Sequence, residues 1–293
     1  MRQVASDERW DVPLRLLGAL HYLALAGLAP DLAEAYERGA DAWPAFRVAL
    51  AAERDFVAEF MRTRPVQTNE VGRCYGLLPA FLTLARDHDL RLDLIELGPS
   101  AGLNLLWDRY RYRYRAEEWG PADSPLGLEA ELRAPLPDGL LAVQPEVGER
   151  VGIDLNPLDV TSEDTALLLQ CFVWPDQRER LTRLRAALEV ARRDPPRLVR
   201  GDYVELLPEL LAERDPGALT VVYETASLIY LPLEVREKVV DAIAAAGAEG
   251  PVAFLSTTQP ETWSLVLRTW PGGRTQLLAE VDPHGKWLEW LAR

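Results

Sequence analysis

The chain has 293 residues, of which 48% are hydrophobic and 27% charged, with a formal net charge of −14. The apolar fraction excludes a mainly disordered chain, and 19 Gly, 22 Pro and 2 Cys exclude collagen-like and disulfide-scaffold classes. The acidic balance opposes binding to nucleic acid in general.

Residues 1–90 read as helical. Leu14, Leu17, Leu20 and Leu25 stand near helical spacing, a second segment opens at Pro30-Asp31 and runs to Gly39, and Ala45 to Met61 forms a third. Gln67 to Asp87 makes a fourth, with Val71, Leu77, Leu78, Phe81, Leu82 and Leu84 on its apolar side. The charged start and the longest apolar stretch, interrupted by Arg15 and His21, match neither a signal peptide nor a membrane span. The expectation is a soluble, cytoplasmic protein.

The pattern changes at Arg91. Leu92 to Leu97 is a short apolar run that ends in Gly98-Pro99-Ser100-Ala101-Gly102, and Leu103 to Tyr110 then looks helical. Further strands are expected at 150–155, 197–202, 218–225 and 251–257. Helices are expected between them, at 162–172, 176–193, 203–212 and 232–246. Such alternation predicts a parallel sheet covered by helices on both faces. Thr262–Trp270, a Pro-Gly-Gly turn and Thr275–Asp282 read as a terminal hairpin. Residues 107–148 interrupt the order. Tyr110 to Arg115 alternates tyrosine with arginine, and 126–134 is its expected hairpin partner. The pleat puts the tyrosines on one face, so a packed face is favoured over base stacking.

Chemistry concentrates at three strand ends. Glu96 precedes a Gly-rich turn at which backbone can approach a ligand and a helix N-terminus offers free N–H groups. Asp154 closes the second strand, where an acid can accept both hydroxyls of a ribose; the alternative is a turn aspartate before Asn156-Pro157. Asp202 follows the third strand, either as an acceptor for an adenine amine or as a helix N-cap. Carboxyl ends of parallel strands are where open α/β sheets bind ligands. Cys74, Cys171, His21, His88 and His284 lie too far apart in sequence for a zinc motif, so no metal is expected.

The succession ELGPSAG, GIDLNP, RGD, VVYET and a terminal hairpin resembles class I S-adenosylmethionine-dependent methyltransferases. More closely, QTNEVGRCYGLLP, ELGPSAGLNLLWDRYRY, GIDLNPLDVTSED, VWPDQRERLTRL and DPPRLVRGD resemble an uncharacterised bacterial family of unknown function, over nearly the whole chain. The resemblance implies a Rossmann-like α/β sheet with a C-terminal β-hairpin (91–293), a helical N-terminal cap (1–90) and an inserted hairpin at about 107–148. It further implies S-adenosylmethionine as cofactor, held by Glu96, Gly98, Ser100, Gly102, Asp154 and Asp202. Glu224 and Tyr223 would then face a small-molecule methyl acceptor, with Glu224 as base or orienting group. Ser100 departs from the common glycine, and Asp154 follows the turn at more than twice the usual gap of about 20 residues.

Gln67, Asn69, Glu70 and Arg73 form a polar group before an apolar helix. Glu70 and Arg73, with His284, are candidates for acceptor binding, and Thr68 or Asn69 for helix capping. A rival reading treats Gly98–Gly102 as the G-x-S-x-G elbow of a serine hydrolase, with Ser100, Asp202 or Glu224, and His284 as triad. A third is an adenosyl-ligand binder without turnover.

Overall fold

A computed structural model describes residues 11–257 and 263–292. The first four helices are α1 (Val12–Leu25), α2 (Pro30–Arg38), α3 (Trp43–Ala52) and α4 (Arg54–Thr63). The expected single helix over 45–61 is two: Glu53, at φ −108° and ψ 30°, ends α3 and caps α4. The bend directs Phe46 and Ala49 of α3, and Val57 and Phe60 of α4, into one core with Leu20 and Leu23 of α1. Helix α5 (Cys74–His88) begins seven residues later than its sequence pattern suggests, after a 3-10 turn at Val71–Arg73. It packs in the main core over the sheet rather than with α1–α4.

Strand β1 (Leu92–Leu97) is buried at every position. A 3-10 segment, Leu103–Arg109, replaces the expected α-helix. The insertion contains β2 (Arg111–Tyr114), β3 (Glu117–Trp119), β4 (Gly127–Glu129) and β5 (Glu131–Leu132). Here the expected hairpin is corrected. β2 turns back on β3 through Arg115 at φ +56°, whereas β4 pairs with β2 in parallel. The side-chain alternation holds. Tyr110, Tyr112 and Tyr114 are buried, and the first two hydroxyls donate to the carbonyls of Leu103 (2.6 Å) and Trp107 (2.7 Å), while Tyr114 donates to Tyr75 O. Arg113 stays exposed and pairs with Glu118. Rings spent this way have no face to offer a base.

The chain continues through β6 (Val147–Asp154), α6 (Glu163–Cys171), α7 (Arg178–Arg193), β7 (Arg197–Arg200), α8 (Tyr203–Ala212), β8 (Leu219–Glu224), α9 (Leu233–Gly247) and β9 (Val252–Ser256). It closes with β10 (Ser264–Trp270), β11 (Arg274–Val281) and β12 (Trp287–Trp290). The expected first hairpin residue, Thr262, lies outside the described residues. β12 was not expected, and β5, which falls inside the strand expected at 126–134, pairs with it rather than with β2 and ties the insertion to the sheet edge.

The large sheet runs β5-β12-β11-β10-β9-β8-β1-β6-β7. Its core β7-β6-β1-β8-β9 is parallel, and β10, β11 and β12 follow as an antiparallel meander. This is a mixed α/β fold on a large, mostly parallel sheet. α5, α7 and the tyrosine insertion cover one face, and α8 and α9 the other. The chain leaves β1 for β6 on one side and returns to β8 on the other, so strand order reverses between β1 and β8. Open α/β sheets in general bind ligands outside the carboxyl ends of the strands at such a reversal. No single described helix is long and apolar enough to cross a membrane.

Candidate functional site

Period-2 alternation puts Leu92 and Leu94 of β1 in the core beneath α5 and Ile95 and Leu97 in the core beneath α8 and α9. Glu96 shares the α5 side, at 1% exposure. Its register partner on β8 is Tyr223, whose hydroxyl donates to Glu96 Oε2 at 3.2 Å. Burial raises the Glu96 carboxyl to about 8, against hydrogen bonds from Tyr223 and Asn104 and the charge of Arg73. At neutral pH Glu96 is therefore mostly protonated.

Around it sits a connected polar group. Asn104 is buried, accepts from Cys74 Sγ at 3.3 Å and donates to Thr225 Oγ1 at 3.5 Å. Arg73 donates to the Thr225 carbonyl and, at 3.3 Å, to its hydroxyl; its Nε reaches Pro283 O at 2.9 Å. Arg73 thus joins the end of β8 to the turn that follows β11.

The glycine turn is tight for reasons internal to the protein. Gly98, Ser100 and Gly102 have φ of +71°, +59° and +72°. A Cβ on Gly98 would lie 2.5 Å from Ser227 Cβ, and one on Gly102 2.7 Å from Pro196 Cγ. The free N–H groups expected here are largely taken. Gly102 N donates to Pro99 O at 2.9 Å, and Leu103 N to Asn69 Oδ1 at 2.9 Å. Asn69 therefore caps the 3-10 segment across from it, not its own helix. Glu70 does the local capping, accepting from Gly72 N at 3.1 Å.

Asp154 is at the end of β6, beside β1. Its Oδ2 accepts from Ser100 N and its Oδ1 from Asn156 N, both at 2.8 Å. It thus serves the Gly turn and its own turn together. Asp202 accepts from Val204 N at 2.9 Å and is the N-cap of α8. Glu224, fully buried, accepts from Ala226 N (2.8 Å), Leu228 N (3.4 Å), Ser256 Oγ (2.5 Å) and Thr257 N (3.0 Å), so it clamps two loops at the ends of β8 and β9.

The elbow geometry is incomplete. Ser100 has the left-handed backbone, but its buried Oγ has no hydrogen-bond partner among the described residues. His284 stands elsewhere, its Nδ1 3.4 Å from Glu70 Oε2. Asp202 and Glu224 face backbone N–H groups rather than this histidine.

Glu70, Arg73 and His284, separated by up to 214 residues in sequence, do meet. They line a cleft of about 240 Å³ with Thr68, Trp174, Gln177 and Arg180. Arg180 Nε lies 2.6 Å from Glu70 Oε2. Burial would raise the Glu70 carboxyl, but His284, Arg180 and the Gly72 N–H outweigh it and hold it below the usual range. The cleft's C-terminal wall is interlocked. The Cβ absent from Gly72 would fall 2.5 Å from His284 O.

A family model described as an uncharacterized protein conserved in bacteria (DUF2332) matches residues 2–290. The chain belongs to this family. No curated protein matches it. In this DUF2332 chain, sequence reasoning overlooked Asn104, Arg180, Trp174 and Gln177. Asn104 carried a signal, a lone amide in the apolar run Leu103–Trp107. Arg180 carried none, because it is one of six arginines between 178 and 193 and only its partner Glu70, more than 100 residues away, sets it apart.

Proposed function

We propose that the chain binds S-adenosylmethionine in the crevice between β1 and β8 and methylates a small molecule lodged toward Arg73 and the Glu70–His284 cleft. The observation that carries this is the arrangement of acids on the sheet. Numbered in chain order, the parallel core runs 3-2-1-4-5; Glu96 is next to last in its first strand, Asp154 ends its second, and Asp202 follows its third by two residues. That order puts its switch point where dinucleotide folds bind adenosine-containing ligands.

The donor set suits the cofactor. Glu96, neutral when alone, would ionise against a ligand ammonium. Asp154 would exchange Ser100 N for ribose hydroxyls, and Asp202 lies on the adenine side. When bound, the cofactor supplies an electrophilic methyl on sulfonium, which is displaced in line and needs positioning more than proton transfer. Tyr223 fixes Glu96, and Glu224 holds the loops after β8 and β9 that border the acceptor side.

A second reading, binding without turnover, draws on Glu224. Its oxygens already accept four hydrogen bonds, which leaves it poorly suited to act as a base. Calorimetric titration of ligand-free protein with S-adenosylhomocysteine tests the cofactor site. Micromolar binding lost in Asp154→Ala supports it, and no binding sinks it. Transfer of labelled methyl into cell extract metabolites separates the methyltransferase from the binder.

A further inference from the structure

The cleft lined by Thr68, Glu70, Arg73, Trp174, Gln177 and Arg180 has one-sided hydrogen-bonding chemistry. Glu70 Oε1 accepts from Gly72 N, and Oε2 faces both Arg180 Nε and His284 Nδ1. These last contacts are close but poorly aligned, so Glu70 Oε2, Arg180 Nε and His284 Nδ1 are all buried without a well-formed hydrogen bond among the described residues. Arg180 also donates from a terminal nitrogen to Gln177 Oε1, which leaves the Gln177 amide N–H as its open group. Trp174 and Gln177 line the same cleft, and each side chain carries an N–H donor. Arg180 pairs directly with Glu70 and Arg183 adds a weaker electrostatic pull from farther along α7, in a chain of net charge −14. Leu14, Val66, Phe172 and Trp174 supply apolar walls.

We propose that this cleft binds the oxyanion of a small organic ligand, a carboxylate or phosphate, through Arg180 with Gln177 and Trp174 beside it. The planar guanidinium fork matches two oxygens of either group. Glu70 holds Arg180 in place and competes with the ligand for it. As the acceptor handle, this assignment rests on the methyltransferase reading; as an anion site it stands by itself.

The test is calorimetric titration of the full chain with inorganic phosphate and, separately, with benzoate. Wild type should bind at least one at millimolar concentration or better, and which one identifies the class. Arg180→Gln should abolish binding. Because Arg180→Gln also strips Glu70 of its partner and risks unfolding, Glu70→Gln is the second variant, and its sign is specific. Removing the competing charge should tighten anion binding on the order of tenfold. Failure of both anions to bind, or weaker binding in Glu70→Gln with a native melting profile, overturns the proposal. Anion binding without S-adenosylhomocysteine binding overturns the cofactor reading alone, and the reverse result overturns this cleft alone.

Discussion

Replacing Glu96 by glutamine isolates the energetics of one buried carboxyl. Glutamine keeps the shape of the protonated acid and cannot ionise. In the folded chain the Glu96 carboxyl sits at about 8, against an ordinary value of 4.5. Between these two values the folded state holds a proton that the unfolded state has released. The wild type therefore loses stability as pH rises from about 4.5 to about 8, and the contribution is flat outside that window. One unit corresponds to about 1.4 kcal/mol, so wild type should lose about 2 kcal/mol relative to Glu96→Gln between pH 6 and pH 8. Urea denaturation of both proteins at pH 6, 7 and 8 measures this, since other titrating groups cancel in the difference. Parallel stability curves across that range would refute the reasoning. A ligand ammonium that ionises Glu96 must also displace this proton. Binding should then release a proton near neutral pH, visible as a dependence of the binding enthalpy on buffer.

Gly98→Ala should cost about 2–4 kcal/mol, because φ is +71° and the new Cβ meets Ser227. Gly139→Ala, at the same φ but with open space, should cost only about 1 kcal/mol, and thermal melts of the pair separate backbone strain from collision. Ser100→Gly should fold at least as stably as wild type and keep S-adenosylhomocysteine affinity, since it relieves a left-handed serine and discards an unpartnered hydroxyl; lost affinity would show that the hydroxyl contributes to binding. Glu224→Gln should lower stability by about 2–3 kcal/mol in chemical denaturation, as one amide nitrogen replaces an oxygen among N–H donors. Neither buried cysteine should react with a thiol reagent in native protein, and both should react in urea.

Local pattern carried much of this fold. β1 is a pure apolar run with a turn behind it, and α8 follows an aspartate cap, so both are legible at residue resolution. What sequence hid was set by distant partners. Asp154 looks the same whether it awaits a ribose or binds Ser100 N, 54 residues back. β2 pairs with β3 because Arg115 takes a left-handed turn that its side chain does not advertise. β12 is four residues long and becomes a strand only because β11 and β5 flank it. The Glu70–Arg73–His284 group was readable as residue types but not as a place, because Arg180 completes it from another helix.

The turn between β11 and β12 has a consequence for how the molecule is made. Leu14, Val66 to Arg73, Phe172 to Arg180 and His284 all border one cleft. A ribosome makes residues 14 to 283 before the last of these walls, His284, exists. Until then Arg73 lacks Pro283 O and Glu70 lacks His284. The cleft therefore closes only after β11 has been made, and a product terminated before His284 would lack both that wall and β12.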